Sequence, residues 1–404
     1  MRYVIIGSGI AGLSAAEAIR SVDREGSVTI LTGEKGLPYS RPMLTKTPFA
    51  SFDPKAWTVF PEAWFQENAI ALCEKDVRAI DRDAKTVATC DGETIPYDKL
   101  ILATGADNFI PPFGNKDFEG RLKDGIFTIR TADDIYAIKA RCLPGARAVV
   151  IGGGVIGIEA ALELLRYGVE VTILEAMPYL MMRQIDPEIS ARIVDILADA
   201  AAVQVITGAN ITRIEGERAA TGVTLADGQT FPCDFVIVSC GVRARTALAA
   251  EAGLKVGRAI QIDDHARTED PDVYAAGDCA EFRGVNYALW AQGILEGKAA
   301  GLNAAGKEAY FDRFDSSLVI NSPFLSLLAV GDLGKQEGAD YQIRYLTPQD
   351  AEHRYYVNPQ HGAFIEKQYW LNGELVGTGI IGNLAGMQDR KVQILGETGI
   401  HYVE

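Results

Sequence analysis

The feature that most constrains the fold is a glycine-rich turn near the start of the chain. An apolar strand, Tyr3 to Ile6, runs into the spacing G-x-G-x-x-G at Gly7–Gly12, and an apolar helical run follows from Leu13 to Ile19. In such a unit the glycines allow a tight turn, close approach to a pyrophosphate and close helix–strand packing. The helix N-terminus adds free N–H groups and partial positive charge. The stretch predicts a dinucleotide site, and a purely structural turn is the alternative.

An acidic residue follows at the distance expected for a ribose ligand. A second apolar strand, Val28 to Leu31, ends near Glu34, which lies 22 residues beyond Gly12. In dinucleotide-binding folds a carboxylate about 20 residues past the glycines bonds the ribose hydroxyls. Glu34 is therefore predicted to bind a ribose.

The same arrangement recurs in the middle of the chain. An apolar strand, Ala148 to Ile151, precedes a second G-x-G-x-x-G at Gly152–Gly157. A helix, Ile158 to Tyr167, and a strand, Val169 to Leu174, come next. Glu175 closes the unit, 18 residues beyond the last glycine. Two complete fingerprints predict that the chain binds two dinucleotides.

Composition and charge exclude several classes of function. The 404 residues suffice for two or three domains, and 48% hydrophobic with 23% charged residues is ordinary for a globular protein. A net charge of −15 argues against a nucleic-acid partner. No apolar run is long enough for a membrane span, and no signal peptide precedes the first strand, so a cytoplasmic location is expected.

Cysteine and histidine spacing predicts no metal site. The six cysteines form no C-x-x-C pair, and the four histidines show no ligand spacing. We therefore expect neither a redox disulfide nor a zinc or iron–sulfur centre, and mostly reduced, buried cysteines.

Two stretches between the glycine motifs allow more than one interpretation. The segment from Leu37 to Lys46 contains two prolines and the two cations Arg41 and Lys46. It is either a solvated loop or a segment that places both cations near the cofactor's phosphates or ring. Residues 54–68 carry four aromatic side chains, which suit either a lid over a flat ring or core packing.

The remaining pattern predicts short strands, a linker and two long helices. A hairpin is expected at Val77–Asp81 and Thr86–Thr89, a buried strand at Tyr97–Ala103, and a linker at 107–125. Helices are expected near 186–201 and from Trp290 through Asn303. Other strands are expected at 203–206, 211–215, 222–225, Phe235–Ser239, Val273–Asp278, Gln342–Tyr345, Ala363–Tyr369 and Leu375–Ile381.

Five motifs occur in a recognisable order. They are Gly7–Gly12, Ala103–Gly105, Gly152–Gly157, Ser239–Val242 and Ala276–Asp278. This ordered set resembles the FAD-dependent pyridine-nucleotide oxidoreductases with two dinucleotide-binding domains, over residues 1 to about 306.

Further details resemble one branch of that family. Tyr39–Pro42 with Leu44 and Lys46, and then Trp290–Gln292, are similar to the rubredoxin reductase, ferredoxin reductase and nitrite reductase flavin-domain branch. A weaker resemblance, at Glu374–Gly382, is to the terminal domain of rubredoxin reductases.

The resemblance implies an α/β fold with two Rossmann-like three-layer dinucleotide-binding domains and a C-terminal mixed α/β domain. Residues 1–108 and 242–306 would form a discontinuous FAD-binding domain. Residues 109–241 would bind NAD(H), and 307–404 would form a C-terminal interface domain.

The resemblance also implies the site residues. Those implied for FAD are Gly7, Gly9, Ile10, Ala11, Gly12, Glu34, Arg41, Lys46, Val77, Ala103, Thr104, Gly105, Gly277, Asp278 and Trp290. Those implied for NAD(H) are Gly152, Gly154, Val155, Ile156, Gly157, Glu159, Glu175 and Gly241. No metal ligand is implied.

Several of these residues carry specific expectations. Asp278 would hold the ribityl chain or flavin phosphate, and the helix from Trp290 would point its N-terminus at the flavin pyrimidine edge. Glu175 would accept hydrogen bonds from a ribose 2′-hydroxyl and repel a 2′-phosphate, which favours NADH over NADPH. Lys46 and Glu159 would pair beside the flavin and nicotinamide as the catalytic residues; the alternatives are a surface lysine and an ordinary helix glutamate.

One difference from other members of the family limits the substrates that are expected. Disulfide reductases of this fold carry a cysteine pair soon after the first acid, and peroxidases and water-forming oxidases a single cysteine. Residues 36–50 contain none. A dithiol or peroxide substrate is therefore not expected, and electrons would leave directly from the flavin.

Three functions remain open at this point. The first is an NADH-dependent reductase of a small iron carrier, such as rubredoxin or an iron–sulfur protein. The second is a flavin subunit of a larger redox complex, for example an aldehyde oxidoreductase, and the third is a peroxide-forming NADH oxidase. The net charge of −15 disfavours docking of an acidic rubredoxin unless a basic patch steers it or apolar contacts hold it; candidates for the patch are Arg41, Lys46, Arg390 and Lys391.

Overall fold

Short strands and a smaller number of helices alternate along the chain. The computed structural model describes residues 1–313, 315–347, 366–382, 384, 386–396 and 398–403. The helices are α1 (Ile10–Val22), α2 (Met43–Lys46), α3 (Glu62–Glu67), α4 (Ala132–Lys139), α5 (Val155–Leu165), α6 (Pro187–Ala201), α7 (Ala247–Glu251), α8 (Trp290–Ala304) and α9 (Met387–Leu395). Short 3-10 helices lie at Phe49–Ser51, Pro54–Trp57 and Gly277–Cys279.

The strands are short and are numbered in chain order. Those up to residue 215 are β1 (Arg2–Ile6), β2 (Ser27–Thr32), β3 (Ile70–Glu74), β4 (Val77–Asp81), β5 (Thr86–Thr89), β6 (Thr94–Pro96), β7 (Lys99–Leu102), β8 (Ala106–Asn108), β9 (Ile126–Phe127), β10 (Arg147–Ile151), β11 (Glu170–Glu175), β12 (Gln204–Thr207) and β13 (Ile211–Glu215). Those after it are β14 (Gly222–Leu225), β15 (Thr230–Pro232), β16 (Phe235–Val238), β17 (Val242–Ala244), β18 (Ile260–Ile262), β19 (Val273–Ala275), β20 (Ala280–Phe282), β21 (Ala309–Tyr310), β22 (Leu318–Asn321), β23 (Ser326–Gly331), β24 (Gln342–Leu346), β25 (Glu366–Leu371), β26 (Glu374–Ile381) and β27 (His401–Tyr402).

The first glycine motif follows the central strand of a parallel sheet. The strand order is β19-β7-β1-β2-β3, and Ile5 of β1 lies between Ile30 of β2 and Ile101 of β7. All three side chains are fully buried. Continuous apolar strands are expected here because helices and loops cover both faces of a parallel sheet. The motif therefore lies at the carboxyl edge of the sheet, where ligands bind in open α/β folds.

The second glycine motif repeats this arrangement. Its sheet has the order β12-β11-β10-β16-β9, again parallel, and Gly152 follows the central strand β10. Each parallel sheet is accompanied by a three-stranded antiparallel sheet, β4-β5-β6 in the first unit and β13-β14-β15 in the second. The predicted α/β fold with two Rossmann-like units is confirmed.

A pair of hydrogen-bonded strands connects the two units. Strand β8 pairs antiparallel with β17, so that Asn108 lies opposite Val242. These strands lie beside both predicted domain boundaries, although the boundaries themselves stay predictions. The predicted linker at 107–125 overlaps the end of β8, and the helix α4 that soon follows it was not predicted.

The C-terminal region contains an antiparallel sheet covered on both faces. The order is β22-β23-β26-β25-β24. One face packs Leu328 and Ile380 against α9, while the other packs Leu327 into a cluster that contains Ile189 of α6. The predicted strand Ala363–Tyr369 begins outside the described residues, and its described part belongs to β25. None of the described helices is both long and apolar enough to cross a membrane.

The helices α1 and α8 cross with direct backbone contact. Gly297 of α8 faces the carbonyl oxygen of Ala11, and Gly301 faces that of Ala15, so closely that a Cβ on either glycine would collide with the oxygen. Glycine is therefore required at this crossing. The contact fixes the N-terminus of α8 beside the first glycine turn.

We expect Gly297→Ala to lower the free energy of unfolding by ~1–3 kcal/mol, because the added methyl group must push two backbones apart. Urea denaturation followed by circular dichroism measures this. The matched control is Gly399→Ala, since a Cβ there meets nothing within 4 Å. Equal stability of both variants would show that the crossing tolerates the methyl group.

Candidate functional site

The first glycine turn has the geometry that a pyrophosphate requires. Gly7 has φ +112°, and a Cβ on it would collide with the carbonyl oxygen of Ala103. A Cβ on Gly12 would collide with the carbonyl oxygen of Gly7, whereas one on Gly9 would meet nothing within 4 Å. Gly9 caps α1 without a side-chain hydrogen bond, and no acidic residue lies in the first turn. Open space thus faces uncapped N–H groups, which suits an anion.

The second glycine turn reproduces the first contact by contact. Gly152 has φ +111° and lies against the carbonyl oxygen of Ser239, and Gly157 lies against that of Gly152. A Cβ on Gly154 would meet nothing within 4 Å, and Gly154 caps α5 without a side-chain bond. Val155 and Ile156 open that helix, as Ile10 and Ala11 open α1. The same open, uncapped geometry therefore occurs twice.

The predicted Ala103–Gly105 and Gly241 lie at the ends of the neighbouring strands. Thr104 donates from its hydroxyl to the carbonyl oxygen of Arg245 at 2.8 Å, and Gly105 has φ +73°. Gly241 has φ +89° and accepts a backbone hydrogen bond from Phe109 at 2.9 Å. Both segments thus lie at the carboxyl edge of their sheets.

Glu34 faces the first turn and is held by two side chains. Tyr39 donates from its hydroxyl to one carboxylate oxygen at 2.5 Å, and Arg41 forms an ion pair with the other. Burial and the bond to Glu34 raise the pKa of Tyr39, which keeps this phenol protonated. Ser8, Gly9 and these three residues line one cleft. The carboxylate is therefore fixed beside the turn.

A second carboxylate, Asp278, is paired with an arginine that the sequence did not reveal. Arg130 Nη2 lies 2.8 Å from Asp278 Oδ2, and Arg41 Nη1 donates to the backbone oxygen of Arg130 at 2.5 Å. Glu34, Arg41, Arg130 and Asp278 thus form one connected chain along the first site. The available sequence signal was the capping box that opens α4, because Arg130 immediately precedes it.

Lys46 and Glu159 form an ion pair that connects the two units. Lys46 Nζ lies 2.8 Å from Glu159 Oε1, and Thr45 donates from its hydroxyl to Oε2 at 2.5 Å. Glu159 is 6% exposed. Lys46 also donates to the backbone oxygen of Val319 in β22, at 3.3 Å. The expected contact is present; its catalytic role stays a prediction, and the contribution of Thr45 had no sequence signal.

Glu175 is folded onto the second glycine turn. Its Oε2 accepts a hydrogen bond from the N–H of Gly153 at 2.6 Å, and its Oε1 accepts one from the N–H of Met177 at 2.7 Å. Nearby, burial and the charge of Glu175 raise the pKa of Cys240 to about 11, so this thiol is neutral at pH 7. The turn therefore carries one fixed negative charge.

The N-terminus of α8 completes the first site. Trp290 begins the helix, and Leu289 caps it without a side-chain hydrogen bond. Gln292 is 1% exposed, and its amide oxygen has no hydrogen-bond partner among the described residues. A donor from a bound ligand would satisfy this acceptor. The residues around the first turn therefore fit a dinucleotide with hydroxyl groups and phosphates.

Two further predictions concern Val77 and the aromatic side chains of residues 54–68. Val77 begins β4 and is half-buried beside the first core. In residues 54–68 Phe65 is buried in that core, and Phe60 stacks on Trp64 with centroids 3.9 Å apart, as core packing predicts; Trp57 is exposed.

The four cations suggested for a basic patch all have acidic partners. Arg41 and Lys46 pair with Glu34 and Glu159, as described above. Arg390 lies 3.1 Å from Glu366, and Lys391 lies 3.0 Å from Asp315. Each positive charge is thus balanced locally by a carboxylate.

These features define a class of protein. Two parallel sheets each present a glycine turn, an uncapped helix N-terminus and a nearby carboxylate, which is the site of a dinucleotide. An ion pair then joins the two sites. Such a protein binds two dinucleotides next to each other.

Comparison with known proteins identifies the family. Residues 1–297 match the pyridine nucleotide-disulphide oxidoreductases, and the chain belongs to this family. It is 35% identical to rubredoxin-NAD(+) reductase of Pseudomonas putida, over 69% of this chain and 72% of that protein. It is 34% identical to nitrite reductase [NAD(P)H] of Bacillus subtilis, over 76% of this chain but only 38% of that protein.

The fold also matches that of a solved structure over nearly the whole chain. The putidaredoxin reductase in a covalent complex with putidaredoxin is 25% identical, with a TM-score of 0.84 over 97% of this chain and 93% of that one. The predicted family is confirmed. The chain is an FAD-dependent oxidoreductase that uses a nicotinamide dinucleotide.

We expect Arg130→Gln to raise the dissociation constant for FAD roughly tenfold to hundredfold, because Asp278 loses its partner and its charge then repels the phosphates. Fluorescence titration of the FAD-free protein measures this. Arg141→Gln is the matched control, since it removes a similar pair with Asp124 at 2.6 Å that is exposed. Equal affinities of the two variants would contradict this role.

Proposed function

We propose that this protein takes reducing equivalents from NADH and passes them to a small iron carrier of the rubredoxin or ferredoxin type. Bound FAD would convert two-electron transfer into one-electron transfer, since it accepts a hydride and can release electrons one at a time. The observation that carries the proposal is the Lys46–Glu159 pair, 2.8 Å long. Lys46 follows Glu34 in the first unit, and Glu159 follows the second glycine turn, so the pair links the two units and supports a role in bringing two bound rings together.

The chain's own residues would position the two rings rather than react with them. Glu159 is buried and receives hydrogen bonds from both Lys46 and Thr45. A buried carboxylate held by two donors has a fixed orientation, and fixed orientation lowers the entropic barrier to transfer between two ligands. We therefore assign Lys46 and Glu159 to ring placement.

The proposed acceptor is supported by a sequence absence and by the relatives. No cysteine occurs in residues 36–50, where a thiol relay to another substrate would begin. One relative is named for its action on rubredoxin and matches over 72% of its length. The putidaredoxin reductase structure holds a carrier protein as its partner.

A flavin subunit of a larger redox complex is the second candidate. The chain corresponds to only 38% of the Bacillus nitrite reductase, in which the matching region is part of a longer polypeptide. The charges also favour a lasting complex, because the net charge is −15 and all four candidate cations have partners. Apolar contacts would then replace electrostatic steering.

An anaerobic titration of the FAD-loaded protein tests the proposal. We expect NADH to bleach the flavin absorbance, and added rubredoxin or ferredoxin to restore it much faster than air does. Fast recovery in air alone would favour an NADH oxidase. Bleaching by NADH, followed by slow recovery of the flavin absorbance with every acceptor, would favour a subunit that needs its complex. Co-elution of the native protein with larger subunits would identify that complex.

We expect Lys46→Ala to slow anaerobic bleaching by NADH roughly tenfold to hundredfold, because the rings lose their alignment. Stopped-flow absorbance measures the rate. Lys55→Ala is the matched control, since Lys55 is exposed. An unchanged rate together with unchanged flavin content would rule out a role for Lys46.

We expect Glu175→Gln to shift the ratio of kcat/KM for NADH and NADPH about tenfold towards NADPH, because the charge that repels a 2′-phosphate is lost. Steady-state kinetics with both nucleotides measure the ratio. Glu170→Gln is the control, since Glu170 lies exposed on the same strand. A wild-type protein that prefers NADPH would contradict the assignment directly.

A further inference from the structure

A buried carboxyl group lies where three elements of the FAD site meet. Glu296 of α8 is 0% exposed. Its Oε2 accepts a hydrogen bond from the N–H of Gly277 at 2.7 Å, and its Oε1 accepts one from the amide of Gln292. Among the described residues, no cation acts on its ionisation. A buried carboxylate without a cation is costly, whereas a neutral carboxyl group that is hydrogen-bonded costs far less.

The turn that Glu296 holds is wedged between two helices. Gly277 has φ +79°, and a Cβ on it would lie 2.9 Å from the Cβ of Ala11 at the start of α1 and 4.0 Å from the Cα of Gly293 on α8. The turn Gly277–Cys279 carries Asp278. The bond from Gly277 to Glu296 therefore fixes the position of a carboxylate in the FAD site.

The groups around Glu296 favour its neutral form. The turn presents Asp278 and the buried thiol of Cys279, and Arg130 forms an ion pair with Asp278. The first two turns of α1, residues 10–16, contain no titratable side chain, and on α8 the nearest one is the half-buried Lys298. Burial raises the pKa of Glu296 to about 8; its two hydrogen bonds oppose this, and the charge of Asp278 adds to it.

We propose that Glu296 is a positioning residue for FAD that works only as a neutral carboxyl group, so that FAD binds tightly only while Glu296 keeps its proton. The inference depends on FAD binding, which the family establishes, and not on the identity of the electron acceptor. The two phosphates of FAD bring negative charge to a site that already holds Asp278. An ionised Glu296 would add another negative charge at a position that solvent does not reach.

The sign of the pH dependence follows from linkage. Because FAD disfavours the ionised form, binding raises the pKa of Glu296 above its value of about 8 in the free protein. Below that pH both states keep the proton, and affinity is constant. Above it, binding must return a proton to Glu296, so the dissociation constant rises by up to about tenfold per pH unit.

The test is a fluorescence titration of the FAD-free full chain with FAD, from about pH 6.5 to about pH 9.5. We expect the wild-type dissociation constant to rise above about pH 8, and that of Glu296→Gln to stay constant, because glutamine keeps the neutral shape. Glu296→Ala should bind FAD more weakly at every pH, since the turn loses its acceptor. The matched control is Glu163→Gln, another buried glutamate whose pKa burial raises; it should follow the wild type.

Two results would overturn the inference: a wild-type affinity that does not change with pH, or the same pH dependence in wild type and Glu296→Gln. If the variants fail to fold, proton uptake on FAD binding to the wild type at about pH 8, in weak buffer, decides the matter. We expect uptake of a fraction of a proton per FAD, and no uptake would refute the coupling. Absence of FAD binding at any pH would instead contradict the family assignment, so the two failures are distinguishable.

Discussion

Backbone contact at the carboxyl ends of two parallel strands is the constraint on which the structure depends. At Gly7 and at Gly152 the chain turns so closely against the neighbouring strand end that no side chain fits. The following helix is then forced to start with its uncapped N–H groups facing open space. Because the same contact occurs in both units, the fold produces two anion sites with one geometry. The separate sheets matter chiefly because they hold these two turns in place.

Charged side chains then organise the loops that the sheets do not hold. Glu34, Arg41, Arg130 and Asp278 form a chain along the first site, and all four are partly exposed. Ion pairs at this exposure stabilise a fold little, because water and salt screen them. Their value here is positional: Glu34 and Asp278 are each held in place by a neighbouring arginine.

Local spacing in the sequence predicted the glycine turns and the carboxylates that lie near them. Glu34 and Glu175 follow their glycine turns by 22 and 18 residues, and the sequence pattern placed α6 and α8 correctly. Arg130 was missed because it lies just beyond the predicted linker at 107–125, in a stretch for which no element was predicted, although Thr131 opens α4 there with a capping box. The pairing of Lys46 with Glu159 joins residues 113 apart. No local pattern predicts such a contact, and only the family resemblance suggested it.

Glu296 shows what even a correct helix prediction leaves out. In sequence it is one acidic residue in a helix of small residues, and such glutamates are usually solvated. Its burial arises from the crossing of α1 and α8, where Gly297 and Gly301 bring two backbones together. That crossing also fixes the N-terminus of α8 beside the first glycine turn. The geometry that builds the site is thus the same geometry that removes water from the carboxyl group, so any movement that opens the crossing would rehydrate Glu296 and lower its pKa.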